Sequence, residues 1–223
     1  MHIFQTNLNG NPNIGLFCFC NDKFCLVPFG TQAFVKAKFE EALKVPVYEI
    51  SIAGTTLIGA LVAGNSHGII IPSITFKNEI MLLDKYKIKY TIIDTKFTAF
   101  GNNVLCNDHC CVLSCDYDAA TMKEIEKALG VPVMHGKIAA LDTVGAIARL
   151  SNENGLVHSE AQVDEIKFLE KNLKITAEKG SVNYGSPYIS SSLLCNSHGF
   201  IIGESTSGPE IANADEALGF LKG

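Results

Sequence analysis

Two groups of side chains in this sequence are of types that could do chemistry. Cys106, His109, Cys110, Cys111 and Cys115 form the densest run of potential metal ligands. A zinc site needs four such ligands converging tetrahedrally, commonly from cysteine pairs about two to four residues apart. Here Cys106 and Cys110 flank an Asn107-Asp108-His109 turn, and Cys111 and Cys115 are expected on one face of a single strand with Leu113 between them. That is the pattern of a buried sheet face, so the thiols are expected to pack as small hydrophobes, and no metal is assigned. Cys195-Asn196-Ser197-His198 is the second group, a thiol with an imidazole nearby and His135 or His158 as further bases. A thiol nucleophile needs a base within about 3 Å and a lowered pKa. Adjacency across a turn supplies neither. Cys195 is expected to end a strand and His198 to sit in a solvated turn, with no catalytic residue and no cofactor assigned.

Binding residues are the other possibility. Asn65, His67, Asn107, His109, Asn152 and His198 stand at turns. Asparagine at a tight turn can be satisfied by its own backbone, yet loops at the rim of a rigid scaffold are also where binding residues gather. Asn102 and Asn103 follow Gly101 in a strand-like approach instead of at a turn apex, so their amides are expected to face a partner. From Glu204 to Glu216 the chain carries four carboxylates (Glu204, Glu210, Asp215, Glu216) and no Lys or Arg. Such a run is either a solvated helix face with acids near its N-terminus or an acidic patch for a basic partner.

The elements that position these residues repeat. An asparagine-headed turn recurs at Asn21, Asn65, Asn107, Asn152 and Asn196, at spacings of 44, 42, 45 and 44 residues. Each is followed by a short β-prone run, as in Ile69 to Ile71 or Phe200 to Ile202, and preceded by Gly15, Gly59, Gly101, Gly145 or, in the fifth copy, Ser190. Strand, Asn turn and strand make a hairpin. A helical pattern comes next, with Thr121 to Glu124, Ser159 to Gln162 and Ser207 to Glu210 as capping boxes. Apolar residues then recur at helical spacing: Met122, Ile125 and Leu129; Val163, Ile166, Leu169 and Leu173; Ile211, Ala214, Leu218 and Leu221. Pro46 and Pro132, each 25 residues after its asparagine, end the helix and open an extended segment. The five units run over about 1–54, 55–94, 95–139, 140–185 and 186–223. A unit of about 44 residues cannot bury a helix and a small sheet alone, so neighbours must stack. Five can close a ring, and an open solenoid is the alternative.

Composition bounds the rest. With 223 residues, 47% apolar and 18% charged, the chain can build an ample core, which excludes disorder. No run approaches the roughly 18 to 20 apolar residues of a membrane span, and the polar N-terminus carries no export signal, so a cytoplasmic address with reduced thiols is expected. The net charge is −5 and Arg149 is the single arginine, which argues against a protein that lives on DNA phosphates.

The run Gly64-Asn65-Ser66-His67-Gly68-Ile69-Ile70-Ile71-Pro72, then Gly101-Asn102 before Cys106-Asn107-Asp108, Asn154-Gly155-Leu156-Val157-His158, and Ser51-Ile52-Ala53-Gly54 together resemble the translation initiation factor 6 family, over nearly the whole chain. The resemblance implies an α/β pentein fold, a five-bladed propeller with pseudo-five-fold symmetry. It implies a monomer that binds the large (50S) ribosomal subunit, mainly its proteins with marginal ribosomal RNA contact, and prevents premature joining of the small (30S) subunit. A role in large-subunit biogenesis is implied too. Because the chain ends at Gly223 directly after its fifth helix, the shorter archaeal form without a tail is expected. Enzymes of the pentein fold act on guanidino compounds with a Cys, a His and paired carboxylates, and such an enzyme is the alternative. The second unit offers only Glu79 and Asp84 for those carboxylates. A third possibility is an assembly factor that binds precursor subunits without policing joining.

Overall fold

The computed structural model describes residues 1–221, so Lys222 and Gly223, on which the expectation of a tail-less form turns, lie outside it. Strand β1 (Ile3–Thr6) comes first. A one-turn helix α1 (Ile14–Phe17) then leads into β2 (Phe19–Cys20), β3 (Cys25–Pro28), helix α2 (Ala33–Leu43) and β4 (Val47–Ile50). The second unit repeats this order as α3 (Ile58–Leu61), β5 (Ala63–Asn65), β6 (Gly68–Pro72), α4 (Lys77–Lys85) and β7 (Tyr90–Ile93). The third is α5 (Phe100–Asn103), β8 (Val104–Cys106), β9 (Cys111–Leu113), α6 (Ala119–Leu129) and β10 (Val133–His135). In the fourth, a turn replaces the one-turn helix before β11 (Ala148–Leu150), β12 (Asn154–His158), α7 (Val163–Leu173) and β13 (Thr176–Gly180). The fifth has α8 (Ile189–Ser192), β14 (Leu193–Asn196), β15 (Gly199–Gly203) and α9 (Gly208–Ala217).

These strands make five three-stranded sheets. In each, the strand before the turn pairs antiparallel with the middle strand, and in the first four the middle strand pairs parallel with the one that follows the long helix. The fifth sheet takes its outer strand from the other end of the chain: β1 pairs with β15 from Ile3↔Phe200 to Thr6↔Gly203. That pairing closes the ring, so the architecture is the five-bladed α/β propeller of pentein type and not an open solenoid.

Each long helix buries its apolar stripe on the preceding blade. Phe39 and Leu43 of α2 share a cluster with Leu194 and Ile201 of the fifth sheet, Leu83 of α4 with Leu26 of the first, Ile125 and Leu129 of α6 with Ala63 and Ile70 of the second, and Leu169 and Leu173 of α7 with Leu105 and Val112 of the third. Ala214 of α9 likewise meets Leu156 of the fourth. The middle strands are thus covered on both faces, which is why a run such as Gly68–Pro72 is apolar without alternation. No helix among the described residues is long and apolar enough to cross a membrane.

Several local expectations shift. The cap of α6 is Asp118, whose carboxylate accepts from Ala120 N and Thr121 N, so Thr121 lies inside the first turn. A turn closed by Ala161 N on His158 O delays α7, whose cap is Gln162 with Glu165 reaching back to its N–H, and Ser159 stays in the loop. Helix α9 ends before Leu218 and Leu221. Cys115 falls beyond β9 and is exposed, and Asn102 and Asn103 belong to a helical turn where an extended segment was expected.

Candidate functional site

The ring has two unlike ends, and the asparagine turns form one of them. Asn21, Asn65, Asn107 and Asn196 are buried. Each side-chain oxygen accepts the N–H two residues on, which fixes the turn. Each Nδ2 reaches across to the next blade: Asn21 to Asn65 O at 2.9 Å, Asn65 to Asn107 O and Leu129 O, both at 3.1 Å, Asn107 to Leu173 O at 2.8 Å, and Asn196 to Leu43 O at 2.7 Å. Leu43, Leu129 and Leu173 are the last residues of their helices, so three of these amides satisfy orphaned helix-end carbonyls. Asn65 and Asn107 are therefore spent inside the ring and present little to a partner. In the fourth blade the place belongs to Ser151, whose hydroxyl accepts from Asn154 N at 3.1 Å. The expected turn residue Asn152 stands one position later, where its Nδ2 bridges Asp22 and Asp108 at 2.9 Å each. Asp22 also accepts from Ser197 N and Asp108 from Ser66 N, both at 2.7 Å, and this polar lattice plugs the axis. His67 is exposed on the rim, its Nδ1 3.2 Å from Leu129 O.

Below the plug the axis is lined by Cys20, Cys106 and Cys195, each one residue before its asparagine. Cys20 Sγ donates to Cys195 O at 3.2 Å and Cys106 Sγ to Gly64 O at 3.1 Å. Burial pushes the Cys20 thiol up to about 12, only partly opposed by Arg149, and raises Cys195 further. The imidazoles are elsewhere: His198 is exposed on its turn, His135 Nε2 meets Tyr117 O at 3.0 Å, and His158 Nδ1 accepts from Glu160 N. A buried protonated thiol without a base is no nucleophile. In the other cysteine run, Cys110 and Cys111 are buried and Cys115 is exposed. Among the described residues no three His, Cys, Asp or Glu side chains converge as a metal site.

Middle and outer strands run away from the asparagine turns, so their C-termini and the one-turn helices build the opposite end. There the axis opens into a bowl of about 470 Å³ lined by Asn102, Thr143, Tyr188 and Ser191 among others. The Asn102 side-chain amide makes no hydrogen bond among the described residues, whereas Asn103 Nδ2 donates to Ala99 O at 3.1 Å. Around the bowl stand exposed apolar side chains in the segments that follow those strands: Phe29, Phe34 in the first turn of α2, Leu57, Ile74 and Phe76, Tyr184 and Tyr188. A soluble surface seldom gathers so many at one end without a partner to cover them. Large aromatics beside Gly30, Thr75 or Gly185 in loop segments are the sequence signal for this rim, and repeat spacing alone does not show it.

The expected acidic patch is split. Glu210 turns inward: its oxygens accept from Ser207 N, Ser207 Oγ, Ser181 Oγ, Tyr184 N and Gly185 N. Burial acts to raise its pKa, but these bonds outweigh burial and hold the carboxyl at about 2. Asp215 is buried against His2, with 2.9 Å from its Oδ1 to Nε2. Only Glu204, which accepts from Asn7 Nδ2 at the bowl end, and Glu216 are left exposed.

Comparison with known proteins gives the family. A profile described as eIF-6 family matches residues 3–217. The chain is 37% identical to a protein named translation initiation factor 6 from Pyrococcus abyssi, covering 99% of this chain and 100% of that one. It is 36% identical to its namesakes from Staphylothermus marinus, with 98% of each chain covered, and Picrophilus torridus, with 95% and 96% covered. Among solved structures, a DDAH from Pseudomonas aeruginosa complexed with citrulline superposes with a TM-score of 0.49 at 9% identity, covering 75% of this chain and 68% of that one. Full-length similarity to relatives of one name, on a ring of five blades, has a single reading: the chain belongs to the eIF-6 family.

Proposed function

We propose that the protein is a ribosome-associated translation initiation factor that works by occupancy: it binds the large (50S) subunit and prevents premature joining of the small (30S) subunit, with a part in large-subunit biogenesis. The observation that carries this is the end-to-end similarity to proteins named translation initiation factor 6. The geometry supplies a means. A closed ring whose helices each brace the neighbouring blade is a stiff body, and steric exclusion asks for stiffness and bulk, not for reactive groups. The bowl end, with its apolar rim, is the docking face, suited to large-subunit proteins with ribosomal RNA touched only at the margin. Asn102 and Glu204 belong to that face, with Asn103 beside them. Asn65, His67 and Asn107 belong to the opposite end, which stands where the small subunit would approach. The factor acts as a cytoplasmic monomer.

Holding a subunit at a dissociation constant of about 10 nM takes about 11 kcal/mol, which an interface of about 1,600 Å² can supply. Light scattering of subunit joining, with and without the protein, tests the proposal. Joining should fall in proportion to bound factor, and unchanged joining at saturation sinks it. Phe76→Ser, on the rim, should weaken binding to the large subunit about tenfold or more while the thermal midpoint moves by no more than about 2 °C.

A further inference from the structure

Between the first two units, at the asparagine end, the surface departs from the repeat. An open groove there is lined by Lys23 of the first turn, His67 of the second, Lys87 and Lys89 of the loop between α4 and β7, and the rings of Tyr48 and Tyr86. Among the described residues no Asp or Glu lines it, although the chain as a whole has a net charge of −5. Lys23, Lys87 and Lys89 are exposed, and none of their ammonium groups has an acidic partner among the described residues. The acids beside the groove residues in sequence are engaged elsewhere: Asp22 by Ser197 N and Asn152 Nδ2, Asp84 by the Tyr90 hydroxyl at 3.2 Å, and Glu49 by Lys36 at 3.0 Å. The repeat does not ask for this set. Where the first unit has Tyr48 the next three have Thr91, Met134 and Glu178, and where the second has Lys89 the first, third and fourth have Pro46, Pro132 and Thr176.

The aromatic pair is held in place. Tyr48 and Tyr86 stack with ring centroids 4.5 Å apart and planes 17° from parallel, and Tyr86 Oη donates to Glu49 O at 3.1 Å. Both are half-buried, packed against the cluster that holds Leu83 and Ile88. A fixed, flat aromatic surface beside three unpaired point charges complements a base together with its phosphates. An acidic peptide could meet the ammonium groups but brings no planar group for the tyrosines. We infer that this groove binds a single-stranded RNA segment, with about three phosphates on Lys23, Lys87 and Lys89 and one base laid against the Tyr48–Tyr86 pair. It lies at the opposite end from the bowl and so is separate from the docking face proposed above. Only the choice of RNA over DNA rests on the ribosomal reading.

The measurement is fluorescence anisotropy of labelled octaadenylate RNA titrated with the purified full chain. Binding should saturate with a dissociation constant of about 10–100 µM at about 50 mM salt, and the logarithm of affinity should fall against that of salt with a slope of about −2. Lys23→Gln, Lys87→Gln and Lys89→Gln combined should weaken binding about tenfold or more and flatten that slope toward zero. Lys167→Gln, Lys171→Gln and Lys179→Gln combined make the same charge change in the fourth unit and should move affinity by less than about twofold. All six lysines are exposed and outside every salt bridge among the described residues, so neither variant disturbs the core. An abasic strand of equal charge should bind about tenfold more weakly than octaadenylate. The proposal is overturned by an absence of saturable binding, by equal losses in the two triple variants, or by equal binding of the abasic strand. It is overturned too if an octaglutamate peptide matches octaadenylate, which would assign the groove to acidic peptides. None of these readouts involves the ribosome, so their failure would leave the initiation-factor reading standing.

Discussion

Two asparagines five positions apart differ in what their side chains hold. Asn107 closes its own turn through His109 N and Cys110 N and caps Leu173 O, so Asn107→Ala strands three backbone groups, two of them in buried bonds. The expected cost is about 2–4 kcal/mol, read as a lower thermal midpoint. Asn102→Ala removes an amide that bonds to nothing described within the ring, so stability should stay within about 0.5 kcal/mol while large-subunit binding weakens. If both variants lose stability alike, Asn102 is structural and the bowl is not the docking face at that point. Glu210 gives the acid counterpart. Its folded pKa of about 2 lies below the ordinary value near 4.5, so its contribution is present above pH 4.5 and is lost as pH falls through the range to about 2. Glu210→Gln should therefore destabilise the protein at pH 7 and show a flatter stability profile between those limits. A variant that tracks wild type in parallel across that window would show that the carboxylate's charge is not what the turn at Tyr184 and Gly185 depends on.

At the scale of elements, the period of the chain is legible because each turn needs an asparagine and each blade needs its glycine, but the reason for the glycine is not. A Cβ on Gly15 would overlap Ser190 O, one on Gly59 would overlap Gly15 O, and one on Gly101 would overlap Gly59 O. The one-turn helices pass each other backbone to backbone around the axis, a contact that residue identity cannot reveal because it joins segments over 40 residues apart. Gly101→Ala should cost more than about 3 kcal/mol by forcing apart α3 and α5, far beyond the ordinary cost of overpacking one methyl. A midpoint within about 3 °C of wild type would mean the ring relaxes at that waist. Ser190 departs from the pattern without harm because its hydroxyl donates to Ala148 O at 2.8 Å. The fourth turn is misplaced by one residue for a plainer reason: Ser151 does the work of asparagine there, and the adjacent Asn152 draws the eye.

For the whole molecule, five-fold closure is suggested by the count of units, yet the closing strand is invisible in sequence. Ile3–Thr6 carries no turn signal, and its partner lies nearly 200 residues away, so nothing local assigns it to the fifth blade instead of the first. The consequence is testable. Removing residues 1–6 takes away the outer strand of the fifth sheet, the His2–Asp215 contact and the Phe4 ring packed on Phe39. Phe200–Gly203 would then present an unpaired apolar edge, a template for pairing with another chain. Because every long helix is braced by the preceding blade, the loss cannot be confined to one unit: α2 of the first blade rests on the sheet that has lost its strand. The truncated protein should lose its single cooperative transition, or show a midpoint at least 10 °C lower, and self-associate in sedimentation. A monomer that melts within about 2 °C of wild type would show that the ring stands without its clasp, and stiffness could then no longer be credited to closure.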